Sequence, residues 1–168
     1  MPVIIRLVLV VPMLFFATAA HAAIWTGVTG DWFNSAAWAF PSGVPGPRDI
    51  AFLNNDFAGF PPAVSNAALA ASTIIEQLLV DTPTTKQYTI TGANGAVLTA
   101  TKQIHFKNVD RQALNVHTVT SLGLNTPAVA VFDNAVLSLN NSTVTTNSIG
   151  TVADGRIDVN SGSSVQTL

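Results

Sequence analysis

Residues 129–163 read VAVFDNAVLSLNNSTVTTNSIGTVADGRIDVNSGS, short runs of β-branched and aliphatic residues separated by clusters of Asn, Asp, Ser and Gly. Residues 129–133, 136–140, 142–146 and 156–159 read as strands, because branched side chains suit a pleated, half-buried surface. Asn, Asp and Gly tolerate the backbone conformations that turns between strands require. Asp133-Asn134-Ala135-Val136-Leu137-Ser138-Leu139 echoes Ala93-Asn94-Gly95-Ala96-Val97-Leu98-Thr99, and Asn134 and Asn160 stand in turns that look alike. A loose repeat of very short strands is the mark of coils stacked on one another. The pattern therefore predicts an all-β protein, a parallel β-helix with small and aliphatic side chains inward and Thr, Ser and Asn outward. Stacked turns would let Asn side chains hydrogen-bond in a column. The alternative is a β-sandwich, whose strands recur at similar spacing. Against it, Asn94-Gly95 is the one clear two-residue hairpin turn.

The same rhythm extends upstream, with strands expected at 88–91, 96–101, 103–107 and 113–120. Residues 61–87 allow two readings. Ala71, Ile74, Ile75, Leu78 and Leu79 fall at helical spacing, and Thr73 with Glu76 has the form of a capping box. A strand at 77–81 ended by Thr82-Pro83-Thr84 is preferred, because everything after it is strand-like. Downstream, Gly155 to Gly162 begins another unit, and no polar or aromatic cap follows it. Residues 61–168 thus read as β-helix coils, incomplete at the C-terminus, the front part of a longer protein.

Residues 23–60 differ in kind. Trp25, Trp32 and Trp38 are the only tryptophans, and Gly43, Pro45, Gly46 and Pro47 make the stretch between Trp38 and Asp49 a turn-rich loop. Residues 50–53 read as a short strand. The first coil of a β-helix exposes a core end and unpaired strand edges. Trp25, Trp32, Trp38, Pro45 and Asp49 are the candidate structural cap over that end, since each aromatic buries on the order of 150–250 Å². The other reading of the tryptophans is an exposed sugar-stacking surface.

At the N-terminus, Arg6 precedes an apolar run from Leu7 to Phe16, and the small residues Ala17 to Ala23 follow. Ala20-His21-Ala22 fits the small-x-small rule of signal peptidase, which predicts a signal peptide at 1–22 cut between Ala22 and Ala23. No membrane span is expected once it is removed. The chain has no cysteine, so stability must come from burial and hydrogen bonding. Charged residues make up only 10 % of it and the net charge is −2, which excludes a basic surface for nucleic acid.

No motif for a cofactor, phosphate loop or nucleophile elbow is present, so catalytic, cofactor-binding and metal sites are expected to be absent. His105 lies between Ile104 and Phe106, and His117 follows Val116. By strand alternation both histidines are expected to face outward. A metal pair formed by the two would lack a third ligand. Asp154 and Asp158 flank Gly155-Arg156, but calcium needs six to eight oxygens, so turn chemistry is the expectation there. Asn140-Asn141-Ser142-Thr143 contains glycosylation-type sequons, read as chance.

Trp25-Thr26-Gly27, Gly30-Asp31-Trp32, Asn34-Ser35-Ala36-Ala37-Trp38, Gly43-Val44-Pro45 and Asp49-Ile50-Ala51 together resemble the opening of the mature passenger in bacterial autotransporter-type surface proteins. Ala37 departs from the pattern, which usually has Asn there. The specific likeness covers about 30 residues. It implies a right-handed parallel β-helix exported through the inner membrane and periplasm to the cell surface, the outer membrane or the medium. Complete members carry a C-terminal barrel, which is not in these residues. The matched motif is structural, so no catalytic residue follows from it. The expected function is a non-enzymatic, adhesin-like passenger module. Its partners would be the export machinery and then glycans or proteins of a host or other surface. A polysaccharide-active β-helix enzyme fragment and a small secreted carbohydrate-binding sandwich are the alternatives.

Overall fold

The computed structural model describes residues 21–26, 29–39, 43–53, 64–83, 85–93 and 95–168. Residues 1–20 of the expected signal peptide, and Asn94 of the hairpin-like turn, lie outside the described residues. The strands are β1 (Ala22–Trp25), β2 (Gly30–Asp31), β3 (Trp38–Ala39), β4 (Ile50–Leu53), β5 (Val64–Leu69), β6 (Thr73–Thr82) and β7 (Gln87–Gly92). They continue with β8 (Val97–Asn108), β9 (Asn115–Thr120), β10 (Gly123–Phe132), β11 (Ala135–Asn140), β12 (Thr143–Val152), β13 (Arg156–Val159) and β14 (Ser164–Thr167). No α-helix occurs among the described residues. The apolar residues at helical spacing near 71–79 belong to β6, where Ile75, Leu78 and Val80 are buried between parallel neighbours β4 and β8.

One sheet runs β14-β12-β10-β8-β6-β4-β1-β3 and the other β13-β11-β9-β7-β5-β2. From β4 onward the chain alternates between the sheets; β4 pairs in parallel with β1 and β5 with β2, and from β6 each strand pairs in parallel with the one two places earlier. The result is a β-solenoid of about five turns. Parallel pairing of strands one coil apart rules out the sandwich. Antiparallel pairing occurs between β1 and β3, at one end of the first sheet.

Hydrogen-bonded register places like residues over like. Ala51, Leu78, Ile104 and Val129 form one inward row, and Leu53, Val80, Phe106 and Val131 form the next. Leu98, Leu124 and Val144 stack in a third row of that sheet, and Ala67, Ile90, Val119 and Leu139 in the facing one. All are buried. The long strands bend without breaking. In β8 the inward positions Leu98 and Ala100 give way to exposed Thr101 and Lys102 before Ile104 and Phe106 turn inward again. Residues 96–101 and 103–107, read as two strands, are thus one strand wrapped round a corner. β10 turns the same corner at Pro127, and β6 at Glu76, with a register shift to β8.

The tight turns stack as well. Asp133 (φ 57°) and Asn134 (φ 61°) link β10 to β11, and Ala153 (φ 49°) and Asp154 (φ 64°) link β12 to β13 one coil later. Asp133 N–H donates to the Val152 carbonyl, and Asn134 N–H to that of Ala153, each at 3.1 Å. Asn134 and Asn160 therefore do not stand in equivalent turns. Asn160 precedes β14, and its amide donates to Asn140 Oδ1 and Ser138 Oγ, each at 2.9 Å. Asn134 donates instead to the Arg111 carbonyl at a different corner.

A left-handed alanine is strained where Asp or Asn is not, so Ala153→Gly should raise stability by about 1 kcal/mol in urea unfolding. Gly155 is close-packed: a β-carbon there would overlap the Val131 carbonyl of the preceding coil. Gly155→Ala should lower stability by about 2 kcal/mol or more in the same assay, as overpacking against backbone does.

Candidate functional site

The three tryptophans form one cluster at the β1–β3 end of the solenoid. Trp25, Trp32 and Trp38 are 1 %, 0 % and 3 % exposed. Trp38 meets Trp25 and Trp32 edge to face at 5.0 and 4.7 Å, and its indole N–H donates to the Trp32 carbonyl at 2.7 Å. A sugar-stacking platform needs an exposed indole face, and these three offer none. Pro45 is buried in the loop before β4. Asp49 Oδ2 accepts from Gly46 N–H at 2.8 Å, which closes that loop, while the Asp49 carbonyl accepts from Glu76 N–H in the next coil. Ala22 and Ala23 both lie in β1, opposite Ile50 and Ala51.

The histidines divide. His105 faces outward as expected, between buried Ile104 and Phe106, and its Nε2 lies 2.7 Å from Asp81 Oδ1 on the neighbouring coil. His117 overturns its expectation: it points into the solenoid and is fully buried. In β9 the inward positions are Asn115, His117 and Val119, while Val116 is the outward one. A polar cluster gives the imidazole the partners that a buried polar group needs, while Asn115 Oδ1 and the Tyr88 hydroxyl are buried without one among the described residues. Tyr88 N–H donates to His117 Nδ1 at 3.1 Å, so the ring proton sits on Nε2, which faces Thr82 Oγ1 at 3.2 Å. The Thr82 hydroxyl donates to the Lys86 carbonyl and accepts from Asn115 Nδ2 at 2.7 Å. The rings of Tyr88 and Phe106 lie 6.4 and 5.7 Å from the imidazole. Burial holds the pKa of His117 down to about 3, against a weaker upward pull from Asp81. The two histidines thus lie on opposite sides of the sheet wall and make no metal pair.

Of the acids, Asp158 pairs with Arg156 at 2.8 Å, and Asp154 occupies a left-handed turn position. No group of three metal-ligating side chains occurs among the described residues. Ionic contacts gather on the far half of the long strands and their corner: Lys102 with Glu76, His105 with Asp81, and Arg111 with Asp133 at 3.0 Å.

The near half of β8, β10 and β12 is different. A shallow cavity of about 670 Å³ opens on its outer face, lined by Gly95, Val97, Gly123, Asn125, Thr143 and Thr145 among others. Gly123 sits in register between Val97 and Thr143, so a missing side chain makes a notch in an otherwise continuous outward row. A second cavity of about 300 Å³ adjoins it, lined by Thr99, Thr101, Asn125 and Asn147 among others. The two share Asn125, and no charged side chain lines either. Strand-by-strand reading had no signal for this groove, because the notch exists only once Gly123 lies between coils. Comparison with protein-family models, with curated proteins and with solved structures gave no match.

The buried imidazole has a consequence for acid stability. The unfolded chain binds a proton at His117 below about pH 6.5, and the native chain does so only near 3. Between these values stability falls as pH falls, by up to about 1.4 kcal/mol per pH unit from this group. His117→Gln keeps one acceptor and one donor but does not titrate. Urea midpoints measured from pH 7 to pH 4 should fall more steeply for the wild type than for this variant.

Proposed function

We propose that the chain is an exported, non-catalytic surface module, a passenger-like β-solenoid that holds a neutral face away from the cell. One observation carries this reading. The outward rows are rich in Thr, Ser, Asn and Gln, while the inward rows supply the stability, so the face is free to meet a partner without disturbing the core. In the outward rows of the second sheet, Thr89 and Thr118 share a rung, as do Thr91 and Thr120. The likeness of the 25–51 stretch to autotransporter passenger openings supports the same reading. The mechanism is presentation: a stiff frame, few surface charges to repel a neighbour, and side chains repeated at the strand spacing of about 4.8 Å.

Expression of the gene with its own leader, followed by protease treatment of intact cells and N-terminal sequencing of the mature product, tests this. The expected product begins at Ala23 and is removed by external protease. A chain that keeps Met1 and is protected inside the cell would overturn the proposal.

A further inference from the structure

We infer that the groove running from the Gly123 notch past Asn125 binds a neutral oligosaccharide chain; this takes surface presentation as given and names what the face holds. The peptide backbone at Gly123 forms the notch floor, Val97 is its apolar wall on one side, and Thr143 on the other side with Asn125 and Thr145 supplies polar groups. A partly apolar surface edged by a few hydrogen-bonding groups is the usual form of a small-molecule site. A pyranose ring has the complementary form, with a C–H face and a rim of hydroxyls. Gly123 keeps the notch open, since a β-carbon there would lie 3.1 Å from Val97 Cγ2.

The rim groups are also available. The outward side chains of the opposite sheet are partly engaged with one another, as Thr91 with Asn66 and Asn160 with Asn140. The inward threonines at the corner bond at home, Thr126 to the Ala128 carbonyl and Thr146 to that of Ser148. Asn125, Thr143 and Thr145 make no side-chain hydrogen bond to another described residue, which leaves an amide and two hydroxyls facing the groove. Charge decides the class of ligand. The ionic pairs of these coils lie at or beyond the corner, and none of their side chains lines the groove. An anionic sugar would find no cationic side chain there, and a cationic ligand no acidic side chain. Length decides its form. The two cavities meet at Asn125 and draw on β8, β10 and β12, so the site spans three coils and suits a chain of linked sugars.

The test is titration of the full chain with cellohexaose, maltohexaose and N-acetylchitohexaose, and with hexagalacturonate as the anionic control, followed by calorimetry and amide chemical shifts. At least one neutral hexamer should bind, with shifts centred on residues 95–99, 121–127 and 141–147. Asn125→Ala and Gly123→Val should each weaken that binding at least tenfold, whereas Thr118→Ala on the opposite sheet should leave it unchanged. Asn125 points outward and its truncation leaves the core intact, so it decides the matter even where Gly123→Val unfolds. Failure of all three neutral hexamers to bind, equal binding of hexagalacturonate, or wild-type affinity in Asn125→Ala would overturn the inference. A chain displayed on the cell but blind to all three would overturn this inference alone. A chain that binds in solution but stays inside the cell would overturn the presentation reading alone.

Discussion

Each inward side chain of this solenoid rests on a counterpart one coil away, held there by the hydrogen bonds of a parallel sheet. The row Ala51, Leu78, Ile104, Val129 is one example, and its pitch is the strand spacing of about 4.8 Å. That register constrains everything else. It requires every coil to turn its corner at the same place, so β6, β8 and β10 bend at Glu76, Thr101–Lys102 and Pro127 and absorb unequal residue counts in register shifts. It requires Asp133–Asn134 and Ala153–Asp154 to share one backbone path, even where alanine is a poor fit. It also forbids a side chain on Gly155, because the coil below is already in contact.

The polar interior around His117 follows from the same constraint. Strand β9 could bury Val116 only by slipping one residue, which would reverse every other side chain it carries. Val119 would then leave the row it shares with Ile90 and Leu139. The register instead puts Asn115 and His117 inside, where Thr82 Oγ1 meets His117 Nε2 and, with the Pro83 carbonyl, accepts from the Asn115 amide nitrogen, while Asn115 Oδ1 stays unpaired among the described residues. At the tryptophan end the pairing changes. There β3 runs antiparallel to β1 and brings Trp38 against Trp25 and Trp32.

Much of the architecture was legible in composition and local pattern. The β-branched runs between Asn- and Gly-rich turns mark strands, and their brevity marks coils. What escaped has particular causes. Val64–Leu69 reads as Val-Ser-Asn-Ala-Ala-Leu, too polar and small to announce a strand, yet its inward Ala67 joins the row of Ile90, Val119 and Leu139, and Leu69 is buried opposite Gly92. His117 escaped because alternation was anchored on Val116, the more apolar neighbour, when the deciding partners lie some 30 residues upstream at Thr82 and Tyr88. Asn134 and Asn160 look alike locally but occupy different corners, a distinction that only the coil count reveals. The groove depends on Gly123 lying between Val97 and Thr143, a relation between coils that no single segment contains.

The hydrogen bonds between coils run along the long axis, and the covalent chain crosses from coil to coil only at its corners. Tension applied along that axis therefore loads the rungs directly and not in shear. Rungs would break in succession, and a coil of about 20 residues, such as the one separating Val116 from Val136, would release on the order of 70 Å of extended chain. Under load such a rod lengthens in steps, dissipating work at each one.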